Sequence, residues 1–203
     1  IWKRNQTRII FNANGGEGEL PAIKVNTNES YTFNEEEIAE QREVLRKEYY
    51  TLVGWSENAE ANPEEVGFEI EVQESEIVLY AIWERKTAEL TFVSEEGSEQ
   101  KETVSQGENY IFSERGFERE GYIVKFIYNG SEYEVGDSVF IESERIEIEV
   151  VWEGEERRVN LYNQGELIET KSLRYGEELI LPRYELANHT FIGFNAEPDY
   201  TGT

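Results

Sequence analysis

Ile77-Val78-Leu79-Tyr80-Ala81-Ile82-Trp83 and Ile146-Glu147-Ile148-Glu149-Val150-Val151-Trp152 decide how this chain is read. Each is an extended run of strand-favouring residues closed by a tryptophan, and Ile1-Trp2 is the end of another. Nine residues after each of these tryptophans stands a large apolar residue, Phe11, Phe92 or Leu161. The tryptophans are 81 and 69 residues apart, so the chain repeats itself. Tandem repeats build length or valency, and rarely an active site.

Laid over one another on the tryptophans, the units share one order of parts. A strand comes first, at Arg8-Ile9-Ile10-Phe11, Glu89-Leu90-Thr91-Phe92 and Arg158-Val159-Asn160-Leu161. A glycine turn follows at Gly15-Gly16, Gly97 and Gly165, then a second strand ending at Val25, Val104 or Leu173. The next turn reads Asn28-Glu29, Gly107-Glu108 or Gly176-Glu177, and both Asn and Gly tolerate positive φ. A short extended piece comes after it: Tyr31-Thr32-Phe33, Tyr110-Ile111-Phe112 or Leu179-Ile180-Leu181. The later strand is Tyr50 to Trp55, Tyr122 to Phe126 or His189 to Phe194. A strand ending at Val72 or Ile141 and the closing run complete the first two units.

The middles differ. Residues 35-49 carry every helix signal: Asn34 and Glu37 at capping-box spacing, acids in the first turn, and Arg46 and Lys47 in the last. Glu43 and Lys47 form a favourable i,i+4 pair, and Ile38, Val44, Leu45 and Tyr49 suggest one apolar stripe. Residues 113-120 and 182-188 leave room for a single helical turn in the other units. The expected boundaries are 1-6 for the tail of a preceding repeat, 7-84 and 88-153 for two repeats, and 157-203 for a partial third. The joints, Glu84 to Thr87 and Glu153 to Glu156, are too short for free tumbling, which predicts a semi-rigid extended array.

Composition bounds the chemistry. The 203 residues include no cysteine, so neither disulfides nor thiolate metal sites support these small cores, and the 13% of aromatic residues must fill them. With no methionine and an opening on Ile1-Trp2, the sequence is expected to be cut at both ends from a longer array. The net charge of −25 comes from glutamate, since Asp137 and Asp199 are the only aspartates. It argues against nucleic acid and anionic lipid as partners. The acids alternate with apolar residues, as in Glu69-Ile70-Glu71-Val72, which is the pattern of strands with one solvated face.

Three marks in order resemble a known family. They are Phe11-Asn12-Ala13-Asn14-Gly15-Gly16, Thr51-Leu52-Val53-Gly54-Trp55 and the closing run Ile77 to Trp83. Together they resemble the internalin-type B repeat, also called the Listeria–Bacteroides repeat. The second unit keeps the order but loses the double glycine and the Gly-Trp pair. The third keeps Gly193-Phe194, and its Glu197 to Thr203 looks like the loop before the final strands. The resemblance implies an α+β, β-rich chain of tandem small β-grasp-like modules, each a mixed sheet with one short helix, the third incomplete. It also implies large surface-attached or secreted bacterial proteins, and it supplies no catalytic residues.

No residue pattern assembles a catalytic, cofactor or metal site. Glutamates this abundant form pairs at any spacing, so a glycosidase pair is read as a solvated face. Gly15-Gly16-Glu17-Gly18 lacks the Lys-Ser/Thr of a phosphate loop and reads as a hairpin turn. His189, the only histidine, stands where Tyr50 and Tyr122 stand, as an aromatic substitute. No Asp-x-Asp-x-Asp-Gly run supports calcium. The repeat-closing tryptophans, with Trp55 and Phe194, read as packing residues rather than a sugar platform. Asn5, Asn28, Asn129 and Asn188 are formal sequons only. Tyr128-Asn129-Gly130-Ser131 is a tight turn, and Glu132 to Val135 after it an edge strand guarded by its charges.

The expectation is therefore a non-catalytic spacer, without cofactor or metal, in an extracellular protein of a bacterial cell surface or cell wall. It would project other domains, and this stretch would not insert in a membrane. Two alternatives share the same residues: an adhesin binding a glycan or host protein through its repeats, and a self-assembling subunit completed by strand addition from a neighbouring copy.

Overall fold

The computed structural model describes residues 4–66, 69–163 and 165–196. Among these the chain is β-rich α+β, with fifteen strands and one α-helix. It forms two compact units, Ile1–Arg115 with Lys125–Val151, and Gly116–Val124 with Trp152–Thr203.

In the first repeat, β1 (Gln6–Asn12) is followed by β2 (Ile23–Asn26), β3 (Ser30–Thr32), α1 (Glu35–Val44), β4 (Tyr50–Ser56), β5 (Glu69–Glu71) and β6 (Glu76–Arg85). A mixed sheet runs β2-β1-β6-β4, with β1 and β6 parallel and the outer pairs antiparallel. The parallel register sets Ile9 beside Ile77 and Phe11 beside Leu79. Alternation sends Thr7 and Ile9 to one face together with Ile77, Leu79 and Ala81, all of them buried. The helix supplies Ile38, and its C-cap Leu45, to the same core. β3 and β5 pair separately as a short antiparallel ribbon.

Asn34 caps α1 as its spacing predicts, accepting a 2.8 Å bond from the Glu37 amide. The helix nevertheless stops at Val44 rather than at residue 49. Leu45 is already extended, and Arg46 exchanges two backbone hydrogen bonds with Glu17, 2.7 and 2.9 Å long. A tertiary bridge has overridden local propensity. Lys47 and Tyr49 are consequently outside the helix, so the Glu43–Lys47 helical pair does not form. The buried stripe is Ile38, Gln41 and Leu45, while Val44 is exposed.

The second repeat holds β7 (Thr87–Ser94), β8 (Glu99–Ser105), β9 (Asn109–Ile111), β10 (Tyr122–Tyr128), β11 (Ser131–Tyr133), β12 (Ser138–Phe140) and β13 (Arg145–Gly154). Its sheet runs β11-β10-β13-β7-β8, with β7 and β13 parallel like β1 and β6, and β9 pairs β12. The expected tight turn joins β10 to β11, with Asn129 and Gly130 at φ 50 and 75, and β11 is the edge. Glu132 on that edge is ion-paired with Lys125 at 2.7 Å.

An aromatic cluster recurs between repeats. Phe11 lies 4.7 Å and Phe33 6.4 Å from Trp55, between ring centroids. Phe92 and Phe112 stand 6.0 and 4.8 Å from Phe126 in the same way. Phe126 follows Tyr122 by four residues, whereas Trp55 follows Tyr50 by five. The extra residue is the bulge between Leu52 and Gly54, where a Cβ on Gly54 would run into Val66. Loss of the Gly-Trp pair in the second repeat is thus a one-residue deletion that keeps the core aromatic.

Residues 113–120 and 182–188 are turns and irregular chain. Among the described residues only the first repeat has an α-helix, which corrects the expectation of one short helix in each. The second unit contains the antiparallel pair β14 (Glu156–Asn163) and β15 (Glu166–Arg174). Residues 179–181 and 189–194, expected as strands, are not; a single Leu186–His189 bridge marks the latter. In the first repeat the corresponding strands are held by β5 and β6, and no counterpart of either pairs here among the described residues. Trp2 and the segment 197–203 lie outside the described residues.

Candidate functional site: the joint between repeats

One residue, Lys86, separates β6 from β7, and one, Glu155, separates β13 from β14, so both joints are tighter than the expected four. At the first joint the Lys86 amide donates to Tyr49 O (2.9 Å), and Lys86 O accepts from the Gln106 amide (2.9 Å). Gln106 is 3% exposed, and its side-chain amide donates to Thr87 O (3.2 Å). Arg85 ties the two sides together. Its Nη1 donates to Gln106 O (3.1 Å) and lies 3.2 Å from a Glu108 carboxylate oxygen. Its Nη2 donates to the Tyr50 hydroxyl (2.6 Å), with the guanidinium 4.8 Å from the Tyr50 ring centroid. Tyr49 lies edge-on to Phe140, and a Cβ on Gly107 would come within 2.4 Å of the Tyr49 ring. Burial first, then the neighbouring Glu48 and Glu142 charges, pushes the Tyr49 hydroxyl pKa up.

The backbone part of this clasp occurs three times. Asn5 O accepts from the Thr27 amide (3.0 Å), as Lys86 O does from Gln106 and Glu155 O from Tyr175 (2.9 Å). Arg4 pairs with Glu29 at 2.6 Å, as Arg85 does with Glu108. Within the second unit the Glu155 amide donates to Gly121 O (2.9 Å), matching the bond from Lys86 to Tyr49. There Tyr175 stands edge-on to Tyr122, with ring centroids 5.4 Å apart.

The sequence-selected residues fall around these joints or in the cores. Trp55 is 1% exposed, and its indole N–H donates to Gln41 (2.7 Å). Trp83 and Trp152 are half-buried, their N–H groups donating to Ala13 O (2.9 Å) and Phe117 O (2.8 Å). Lys47 and Arg119 lie against these indoles and also over Tyr50 and Tyr122, 4.7 and 4.5 Å from the ring centroids. His189 keeps the turn of its counterparts: the amides of Tyr50, Tyr122 and His189 each donate at 3.0 Å to the carbonyl three residues earlier. The residue just before each is left-handed, at φ 60 for Tyr49, 79 for Gly121 and 61 for Asn188. Asn28 (φ 66) and Asn129 (φ 50) are likewise turn residues, so backbone geometry accounts for three of the four sequon asparagines.

The Gly15-Gly16 stretch is a tight turn closed by Gly16 N to Ala13 O (3.0 Å), but Glu17 then pairs with Arg46 and β2 begins only at Ile23. It is a turn without an immediate hairpin. No group of three or more metal-ligating side chains occurs among the described residues. No helix among them is long and apolar enough to cross a membrane. Sequence reading missed the clasp itself. Its signal was an arginine two residues after the closing tryptophan, in Arg4 and Arg85, matched with the glutamate after the second turn.

No curated protein matches this chain. Residues 8–82 match the family model described as the Listeria-Bacteroides repeat domain. That span begins in β1 and ends in β6, so it encloses the mixed sheet, the helix and the aromatic core. The first repeat of this chain belongs to the Listeria-Bacteroides repeat domain family.

Proposed function

We propose that this chain is a non-catalytic spacer segment of a bacterial repeat protein, extracellular at the cell surface or in the cell wall, holding other domains at a set geometry. Each repeat is read as a β-grasp-like module; the parallel β1–β6 pair, the β1–β2 hairpin and the helix packed on the sheet support that reading. The family assignment of the first repeat supports the bacterial setting. The observation that carries the spacer role is the clasp. A one-residue joint fixed by Arg85, Gln106 and Tyr49 restricts motion between two repeats, as a spacer requires and as independently tethered binding modules do not. The engagement of the Trp83 and Trp152 N–H groups with backbone carbonyls supports it over a sugar-stacking platform.

The test is a distance distribution between spin labels. The chain has no cysteine, so Glu40→Cys and Ser131→Cys give unique sites, both exposed and both in the first unit. A narrow distribution that broadens on Arg85→Ala is expected. A broad distribution in the otherwise unaltered chain would overturn the spacer reading.

A further inference from the structure

We propose that Asn129 is a site of self-modification: the Gly130 backbone nitrogen displaces ammonia from the Asn129 side-chain amide, and water opens the resulting succinimide to aspartate or isoaspartate. Two Asn-Gly pairs occur in the chain, Asn14-Gly15 and Asn129-Gly130. Each forms the centre of a tight turn, between Ala13 and Gly16 in one case and between Tyr128 and Ser131 in the other. Their left-handed backbones nearly coincide, at φ 48 and 81 in the first pair and φ 50 and 75 in the second. In both, glycine leaves the attacking nitrogen unshielded by a side chain. What differs is the hold on the asparagine. Asn14 is half-buried, and its Nδ2 donates to Ala59 O (2.9 Å) and Ala81 O (3.0 Å). Closing an imide ring there would break both bonds. Asn129 and Gly130 are exposed, and among the described residues nothing bonds to the Asn129 side chain or the Gly130 amide. The space around Gly130 is open, so its nitrogen can turn toward Asn129 Cγ.

In the step itself hydroxide takes the Gly130 amide proton, the N–Cγ bond forms, and the Cγ–Nδ2 bond breaks as the amide nitrogen takes a proton from water and leaves as ammonia. No oxidant or reductant is needed. Water then adds to either imide carbonyl, and addition at the main-chain carbonyl leaves the backbone running through Cβ and Cγ as isoaspartate. The place of the turn gives this product a consequence. It joins β10 to the three-residue edge strand β11, with Tyr128 opposite Ser131 and Phe126 opposite Tyr133. Isoaspartate adds a backbone carbon to the turn, which shifts Ser131 off Tyr128 and draws Tyr133 away from Phe112, with ring centroids now 5.0 Å apart. Aspartate tolerates the left-handed backbone and keeps the register. The turn is therefore a slow, irreversible release for the edge strand of the second repeat.

The test incubates the full chain in mildly alkaline heavy-oxygen water, then maps its peptides by mass spectrometry with fragmentation that distinguishes isoaspartate. Heavy oxygen marks conversion during incubation rather than during digestion. Label should enter position 129 as both aspartate and isoaspartate. Asn14 should convert about tenfold more slowly, as two hydrogen bonds of ordinary net strength imply. In urea the two sites should convert at similar rates, because the fold sets the difference. Hydrogen exchange should show lost amide protection in β11 in the isoaspartate fraction, whereas Asn129→Asp keeps it. No conversion at Asn129, equal rates at the two sites in the folded chain, a gap that persists in urea, or unchanged β11 protection in the isoaspartate fraction would each overturn the proposal.

Discussion

Tyr49 and Phe140 meet edge-on with their ring centroids 5.8 Å apart, although Tyr49 belongs to the first repeat and Phe140 to the second. Tyr49 makes this contact from a left-handed backbone, φ 60, at a place where the second repeat has Gly121. A non-glycine residue held there costs about 1–2 kcal/mol. The strain persists because the position projects a ring over Gly107 and onto Phe140.

Two substitutions separate strain from packing. Tyr49→Ala keeps the unfavourable backbone and removes the ring, whereas Tyr49→Gly removes both. Tyr49→Ala should therefore be the less stable variant, by about 1 kcal/mol in urea unfolding. Equal losses would show that the left-handed conformation is not retained. Either variant should broaden the distance distribution between repeats.

Gln41 is the one polar residue of α1 in the buried stripe, and it accepts the Trp55 indole proton. Gln41→Leu leaves that N–H buried without an acceptor, which costs about 1–3 kcal/mol. Gln41→Glu retains an acceptor and should be milder. Both are measurable by thermal unfolding followed through tryptophan fluorescence; a neutral Gln41→Leu would mean that water reaches the indole.

The hydroxyls of Tyr31 and Tyr110 donate to Glu37 (2.6 Å) and Glu102 (2.9 Å). Burial first, and the carboxylate beside each, holds both phenols well above the ordinary tyrosine range. The unfolded chain releases these protons near pH about 10, the folded chain only at higher pH. Stability from these groups is thus fully present below pH about 10 and is lost as the pH rises beyond it. Alkaline titration at 295 nm should show Tyr31 and Tyr110 among the tyrosines that ionise late, together with unfolding. The Tyr31→Phe, Tyr110→Phe double variant should flatten the decline in stability over the same interval. Simple ionisation of every tyrosine at one pH would contradict the assignment.

How far these features were legible in the sequence depends on the range of the interactions. Period-two alternation marked β1, β7 and β14 and the closing runs, because a strand with one buried face writes its own pattern. The α1 start was legible in Asn34, but its end was not, since Glu17 lies far from Arg46 in the chain. The run His189 to Phe194 has the composition of β4, yet among the described residues no strand stands beside it as β6 stands beside β4, and there it forms no ladder. The clasp links residues that the alignment placed in separate repeats. Repetition of Arg4 with Glu29 and Arg85 with Glu108 was visible, but only the fold shows that each pair is an ion pair.

Arg85 offers the sharpest separation of geometry from charge. Its guanidinium meets a carbonyl, a carboxylate, a phenol oxygen and an aromatic face at once, a set that needs a planar, forked donor. Lysine keeps the charge but reaches only part of that set. If the clasp were a surface ion pair, Arg85→Lys would be nearly silent, because exposed pairs contribute about 0–1 kcal/mol. If the fork is the working element, Arg85→Lys should lose most of what Arg85→Ala loses. Glu108→Gln, which leaves the carbonyl and phenol bonds in place, should then be the mild variant. The Arg85–Glu108 double-mutant cycle reads the pair directly and should return only a few tenths of a kcal/mol, since Glu108 is more than half exposed. A coupling as large as the whole Arg85→Ala loss would assign the joint to charge and refute the role of the fork. The same variants, spin-labelled at residues 40 and 131, should broaden the distance distribution in the order Glu108→Gln, Arg85→Lys, Arg85→Ala.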